Sequence, residues 1–159
     1  MFLKIICVGR LKNDLERKIF KRYEKLITYI APKVGFSSIK LTELSESRSK
    51  KTIVRKTEEA QLILKKCHRN AHLVCLDQHG LSMNSVQFAE WIGELRHESA
   101  HEICFLIGGP DGHGDLVKEA TKTNLALSPM TLSHGLARVV LSEQLYRACT
   151  ILAKHPYHR

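Results

Sequence analysis

Aromatic residues make up only 6% of the 159-residue chain, with a single tryptophan. No stretch approaches the run of about 18 consecutive apolar residues that a membrane-spanning helix requires. Met1 to Cys7 lack the charged n-region, long apolar h-region and small-residue cleavage site of a secretory leader. They read instead as a strand, and the protein is expected in the cytoplasm. The five cysteines are an odd number with no pair at CxxC spacing, which excludes a disulfide framework and a zinc ribbon. Cys7, Cys75 and Cys104 lie inside apolar runs, where cysteine acts as a small hydrophobe. No glycine pattern fits G-x-G-x-x-G and no G-K-[ST] is present, so neither the dinucleotide nor the nucleotide phosphate loop applies. Internal repeats, low-complexity tracts and linker-like stretches are also lacking, and residues 1–159 are expected to form one domain.

Cationic charge is present, and it is one-sided. Residues 1–70 hold 18 Lys/Arg against 7 Asp/Glu, whereas residues 71–159 hold 7 against 9, so the first half carries the whole excess behind the net charge of +9. A one-sided basic surface is the footprint expected of a phosphate-backbone partner, although solubility also rewards net charge. Lys12, Arg17, Lys21, Arg22, Lys50, Lys51 and Arg55 are all candidates for that contact, and nothing in the sequence ranks them.

Apolar runs alternate with helical patterns along the chain. Strands are expected at Phe2–Val8, Phe36–Leu44, His72–Leu76 (ending at Asp77 and followed by a turn at His79-Gly80), Ile103–Ile107 and Leu125–Leu127. Helices are expected from Asn13 or Asp14 to about Ile30, Thr52 to Cys67, Asn84 or Ser85 to Glu98, Asp115 to Thr121, and from a Ser133 cap to Ala153. Ser45–Lys51 is polar and charged and reads as a mobile loop. Strands separated by helices of this length imply βαβ units, hence an α/β fold with a mainly parallel sheet covered on both faces.

Three stretches can carry chemistry. Phe105 to Gly114 (FLIGGPDGHG) places a glycine cluster directly after a buried strand. It is either a tight turn or a place where backbone approaches a ligand at the carboxyl edge of the sheet. Leu127 to His134 (LSPMTLSH) is a second carboxyl-edge loop, able to present backbone groups to an adenine edge. The third is the long helix with its tail. Glu143 and Arg147 stand four apart on one face, and Tyr157-His158-Arg159 offers stacking, hydrogen bonding and phosphate contact, or simply a frayed end. His97 with His101, and His68 with His72, have ligand-like spacing, but a helix end falls between the members of each pair. No metal site is expected.

Taken together, FLIGGPDGHG, LSPMTLSHGLARVVLSEQLYRA (127–148) and the terminal HPYHR (155–159) resemble the ribosomal RNA large-subunit methyltransferase H family of SPOUT, or α/β-knot, methyltransferases. The resemblance covers essentially the whole chain. It implies a homodimer whose C-terminal segment threads a trefoil knot, and S-adenosylmethionine as methyl donor. The donor would lie among Leu76, the Gly108-Gly109 loop, and Leu127, Ser128, Pro129, Met130, Thr131 and Leu132. The implied substrate is N3 of a pseudouridine in helix 69 of 23S rRNA on the assembled ribosome. Tyr157, His158 and Arg159 are the candidates for positioning the base and its phosphates, with Arg138 as a further catalytic candidate. The chain departs from the family pattern at Ser133, where proline is usual, and at Gly135 and Ala137, where larger residues are common. Rival readings are a SPOUT enzyme acting on another RNA and an RNA-binding factor without turnover.

Overall fold

The computed structural model describes residues 1–98 and 100–158. Strand β1 (Phe2–Val8) is an interior strand of a five-stranded sheet and pairs in parallel with β2 (Ile39–Leu44) on one side and β4 (Glu102–Ile107) on the other. Strand β3 (His72–Ser82) joins β4 to the edge strand β5 (Thr123–Ala126), giving the order β2-β1-β4-β3-β5, with each named pair parallel. All five strands therefore finish at one edge.

Alternation along the strands divides the core in two. Leu3, Ile5, Cys7, Ile103, Phe105 and Ile107 point to the face covered by α1 (Asp14–Ile30), α3 (Ser85–Leu95) and α5 (His134–Leu152). Ile6, Val8, Cys104 and Leu106 point to the opposite face, covered by α2 (Thr52–Lys66) and α4 (Asp115–Ala120). Near-continuous apolar runs in β1 and β4 follow from burial on both faces. Three helix starts are fixed locally. Asn13 accepts from Leu15 and Glu16 backbone N–H groups, Asn84 and Gln87 form a reciprocal capping box, and Ser133 accepts from Leu136 N–H. Cys7, Cys75 and Cys149 are core thiols pushed up to about 12 by burial. Among the described residues no helix is long and apolar enough to cross a membrane.

Four expectations change in detail. Strand β2 begins at Ile39 instead of Phe36, because a 3-10 turn (Ala31–Val34) ends in the left-handed Gly35 and holds Phe36 N–H on Ala31 O. Strand β5 stops at Ala126, and Leu127 leaves the ladder. The segment Ser45–Lys51 is tied to α2: Ser47 N–H donates to Glu59 Oε1 at 3.0 Å, and Arg55 Nη1 donates to Ser49 O at 2.9 Å. The turn expected at His79-Gly80 is a bulge within β3, where both Leu76 and Leu81 register with Leu125.

Gly80 is required at that bulge by close approach. A Cβ there would lie 2.7 Å from Asn124 C and O, both backbone atoms that cannot swing aside. The variant Gly80→Ala is therefore expected to lose about 1–3 kcal/mol of stability, read as a lower urea midpoint. An unchanged midpoint would show that β5 can shift freely.

Candidate functional site

At the carboxyl edge a cleft of about 670 Å³ opens over the ends of β3, β4 and β5. Doubly covered parallel sheets place ligands at this edge, because the loops leaving adjacent strands diverge there. One wall is the β3 bulge, from Leu76 to His79. A second is the glycine loop from Ile107 to His113, and the third is Leu127 with Ser128 and Met130 to His134. Leu125 of β5, Lys56 of α2, Lys118 of α4 and Ala137 of α5 complete the lining.

The glycine loop is both a tight turn and a ligand-facing wall. Gly112 N–H closes on Gly109 O at 2.9 Å, and Gly112 sits at φ 78°, a left-handed conformation suited to glycine. Behind the loop, a Cβ on Gly109 would meet buried Glu59 Oε2 at 2.8 Å, so α2 packs directly against the backbone. Arg55 adds a clamp, donating from Nε to Asp111 Oδ2 at 2.7 Å. That hydrogen bond holds the Asp111 carboxyl below its ordinary range and raises the Arg55 guanidinium. His113 is buried, and neither ring nitrogen has a hydrogen-bond partner among the described residues. Burial lowers its pKa and favours the neutral ring, against the weaker opposing pull of Asp77. Across the cleft, Thr131 Oγ1 donates to Gln78 Oε1, and Met130 N–H donates to Ser128 Oγ at 3.0 Å.

Eight of the nine positions proposed for a cofactor line this cleft: Leu76, Gly108, Gly109, Leu127, Ser128, Met130, Thr131 and Leu132. Pro129 lies in the same segment but is exposed and does not form the wall. Lys56, Asp77, Lys118 and His134 join the lining without having been singled out from the sequence. His113 and His134 sat inside recognised motifs, whereas Lys56 and Lys118 carried no local signal. Among the described residues, no group of three or more His, Cys, Asp or Glu side chains could hold a metal ion.

The tail residues gather elsewhere. The Tyr157 ring meets Tyr146 edge-on at 4.7 Å, lies 4.9 Å beneath the Arg147 guanidinium, and its hydroxyl donates to Glu143 Oε1 at 3.3 Å. His158 Nδ1 is 3.4 Å from Arg147 Nη1. Burial first, and contact with Tyr23 second, push the Tyr157 phenol up to about 12. Glu143 lies nine residues beyond His134 on α5, about 13 Å along the axis at 1.5 Å per residue. The tail therefore lies away from its own chain's cleft. Arg159 falls outside the described residues.

Arg138 belongs to neither group. It is fully buried, donating from Nη1 to Glu43 Oε1 at 2.9 Å and from Nη2 to Gly9 O at 2.8 Å and Val8 O at 3.1 Å. Its guanidinium thus ties α5 to the ends of β1 and β2.

The family described as "Predicted SPOUT methyltransferase" matches residues 1–158. The ribosomal RNA large subunit methyltransferase H of Brucella anthropi is 39% identical over 159 residues, covering 100% of this chain and 99% of that protein. The protein of the same name from Bradyrhizobium sp. (strain ORS 278) is 40% identical, covering 100% and 98%. Among solved structures, the SpoU methyltransferase AviRb of Streptomyces viridochromogenes, in complex with AdoMet, overlays 97% of this chain and 59% of its own with a TM-score of 0.43 at 10% identity, too loosely to bear on the site. With full-length identity of this order, the chain belongs to the ribosomal RNA large subunit methyltransferase H family of SPOUT methyltransferases.

Proposed function

We propose that this protein uses S-adenosylmethionine to methylate N3 of a pseudouridine in helix 69 of 23S rRNA on the assembled ribosome, working in the cytoplasm as a homodimer with the knotted threading of its family. The observation that carries the reading is the cleft, with Leu76, the glycine loop and Leu127–Ser133 converging at the carboxyl edge. Its volume of about 670 Å³ falls within the roughly 300–1,000 Å³ range of small-molecule sites. Leu76, Ile107, Leu125, Leu127 and Leu132 offer apolar walls for an adenine, and the loop backbones offer N–H and C=O groups to its edge. When bound, the sulfonium cofactor supplies an already activated methyl group.

The protein's remaining task is alignment and charge. N3 must be brought in line with the donor, and its imide proton must leave at or near transfer. Neighbouring donors or cations would stabilise the developing anion. Tyr157, held protonated, can donate a hydrogen bond to a base but is poorly suited to accept its proton. His158 offers a ring nitrogen beside it, and Arg159 a cation for phosphate or base oxygen. Since the tail lies about 13 Å along α5 from its own cleft, a two-fold pair that lays one protomer's tail over its partner's cleft supplies the missing half. Arg138, with its guanidinium committed to Glu43, Val8 and Gly9, takes a positioning role in this scheme.

The test uses methyl-labelled S-adenosylmethionine with ribosomes from a strain lacking the modification, beside separated subunits and free rRNA. Label at N3 of the helix 69 pseudouridine, from assembled ribosomes, is the expected result. Label confined to transfer RNA, or to another rRNA position, would overturn the assignment.

A further inference from the structure

Part of the first-half cationic excess outside α1 lies at the cleft. Strands β1 and β2 end at the same edge as the cleft strands, so the segments that follow them, 9–12 and 45–51, emerge beside it. Two contacts fix how close they come. A Cβ on Gly9 would lie 3.5 Å from Cε1 of His134, a cleft residue, which sets Arg10 and Lys12 at one rim. The Arg55 guanidinium donates to Ser49 O and Lys50 O while also holding Asp111 of the glycine loop, which sets Arg48, Lys50 and Lys51 at the other. Lys56, one turn into α2, already lines the cleft.

Arg10, Lys12, Arg48, Lys50 and Lys51 are exposed, and among the described residues none of them, nor Lys56, makes an ion pair within 4.0 Å. Nearby acids are largely engaged. Glu43 accepts from Arg138 and Leu11 N–H, Glu58 and Glu59 accept from Ser47, and Asp111 accepts from Arg55. Glu46, beside Gly9, and Asp14 and Glu16 in the first turn of α1 are the exceptions at this rim. Helix α2 also begins here without an acidic residue in its first turn or a side-chain cap, so its N-terminal amides add to the positive field. The other basic candidates fall away. Arg17 donates to Leu11 O, Arg55 is clamped, and Lys21 and Arg22 sit about two turns into α1, on the opposite face of the sheet from α2.

We infer that the strip formed by Arg10, Lys12, Arg48, Lys50, Lys51 and Lys56 is a docking surface for the RNA phosphate backbone, which holds the strand while the target base enters the cleft. The inference rests on the RNA-methylating function proposed above. Its cations lie on loops and on a helix start, and those at 48–51 are fixed to the glycine loop through Arg55, so the backbone is held in register with the site.

The test compares Lys50→Gln/Lys51→Gln with Lys65→Gln/Arg69→Gln. The control pair removes the same charge from the far end of α2, about 20 Å away along a 15-residue helix. Binding to unmodified ribosomes and to an unrelated RNA hairpin is measured as salt is varied. Loss of two phosphate contacts should flatten the slope of log affinity against log salt by about 1.4–1.8, making binding about 10- to 30-fold weaker near 0.15 M salt. KM for ribosomes should rise accordingly, with kcat and cofactor affinity unchanged, and the control pair should behave as wild type. Equal slopes in the wild type and the Lys50/Lys51 variant, or equal losses in both pairs, would overturn the docking surface. If the wild-type protein places no label in rRNA yet the slopes still separate, the strip stands and the proposed function fails.

Discussion

Replacing Arg138 with alanine is expected to lower the free energy of unfolding by about 3–5 kcal/mol, the cost typical of breaking a buried ion pair by removing one partner. The guanidinium is fully buried and its hydrogen bonds reach Glu43, Val8 and Gly9, so truncation leaves a cavity, two backbone carbonyls without this donor, and a carboxylate without its cation. Glu43 keeps Leu11 N–H as a donor and is partly exposed, which moderates the electrostatic share. Two further variants separate charge from packing. Lysine at 138 keeps a cation but lacks the planar guanidinium that reaches Glu43 and the two carbonyls from separate nitrogens, whereas methionine refills the volume without charge. Both should fall between wild type and alanine in chemical denaturation. If Arg138 contacted RNA directly, the alanine variant would keep its unfolding midpoint and lose turnover alone. Unchanged stability with lost turnover would therefore remove the positioning role given to Arg138 here.

That residue also shows where sequence reasoning stops. Arg138 was legible only as a further catalytic candidate, because its carboxylate partner lies 95 residues away in the chain. Caps and periodicity are local, so Asn13, Asn84 and Ser133 announced their helices, and the succession of apolar strands and helices announced a parallel sheet covered on both faces. The glycine loop and Leu127–Leu132 were legible as site segments for the same reason, each being a loop that directly follows an apolar strand. Lys56, Lys118 and Asp77 were not, because they join the cleft through strand order and helix packing. The loop at 45–51 looked mobile from its polarity alone. Glu58 and Glu59, which hold it, are acids of an ordinary-looking amphipathic helix and become anchors only once α2 lies across the sheet. Among the basic residues, composition supplied the sign of the partner, and only the fold could separate Lys50 and Lys51 from Arg55, five or fewer positions away.

Deleting residues 157–159 is expected to reduce methyl transfer by at least about 10²-fold, the scale on which loss of substrate positioning acts, while cofactor affinity stays near wild type. The two effects part because the tail and the cleft are separate on the chain. Tyr157 rests on Tyr146, Arg147 and Glu143, none of which lines the cleft. The deletion removes one partly exposed ring from the surface of α5, so the fold should persist, and a urea midpoint close to wild type will verify it. Tyr157→Phe then isolates the hydroxyl from the stacking face, and His158→Asn removes titration while keeping a hydrogen-bonding side chain. A mixing experiment reads the assembly. A tail-deleted protomer combined with one whose glycine loop is displaced by a side chain at Gly109 should recover activity that neither has alone, because the hybrid pair contains one intact cleft facing one intact tail. Full activity in the deletion would end the proposed role of the tail. Loss of cofactor binding in step with activity would place the tail in the cleft of its own chain, and absence of recovery on mixing would remove the reason for a dimer.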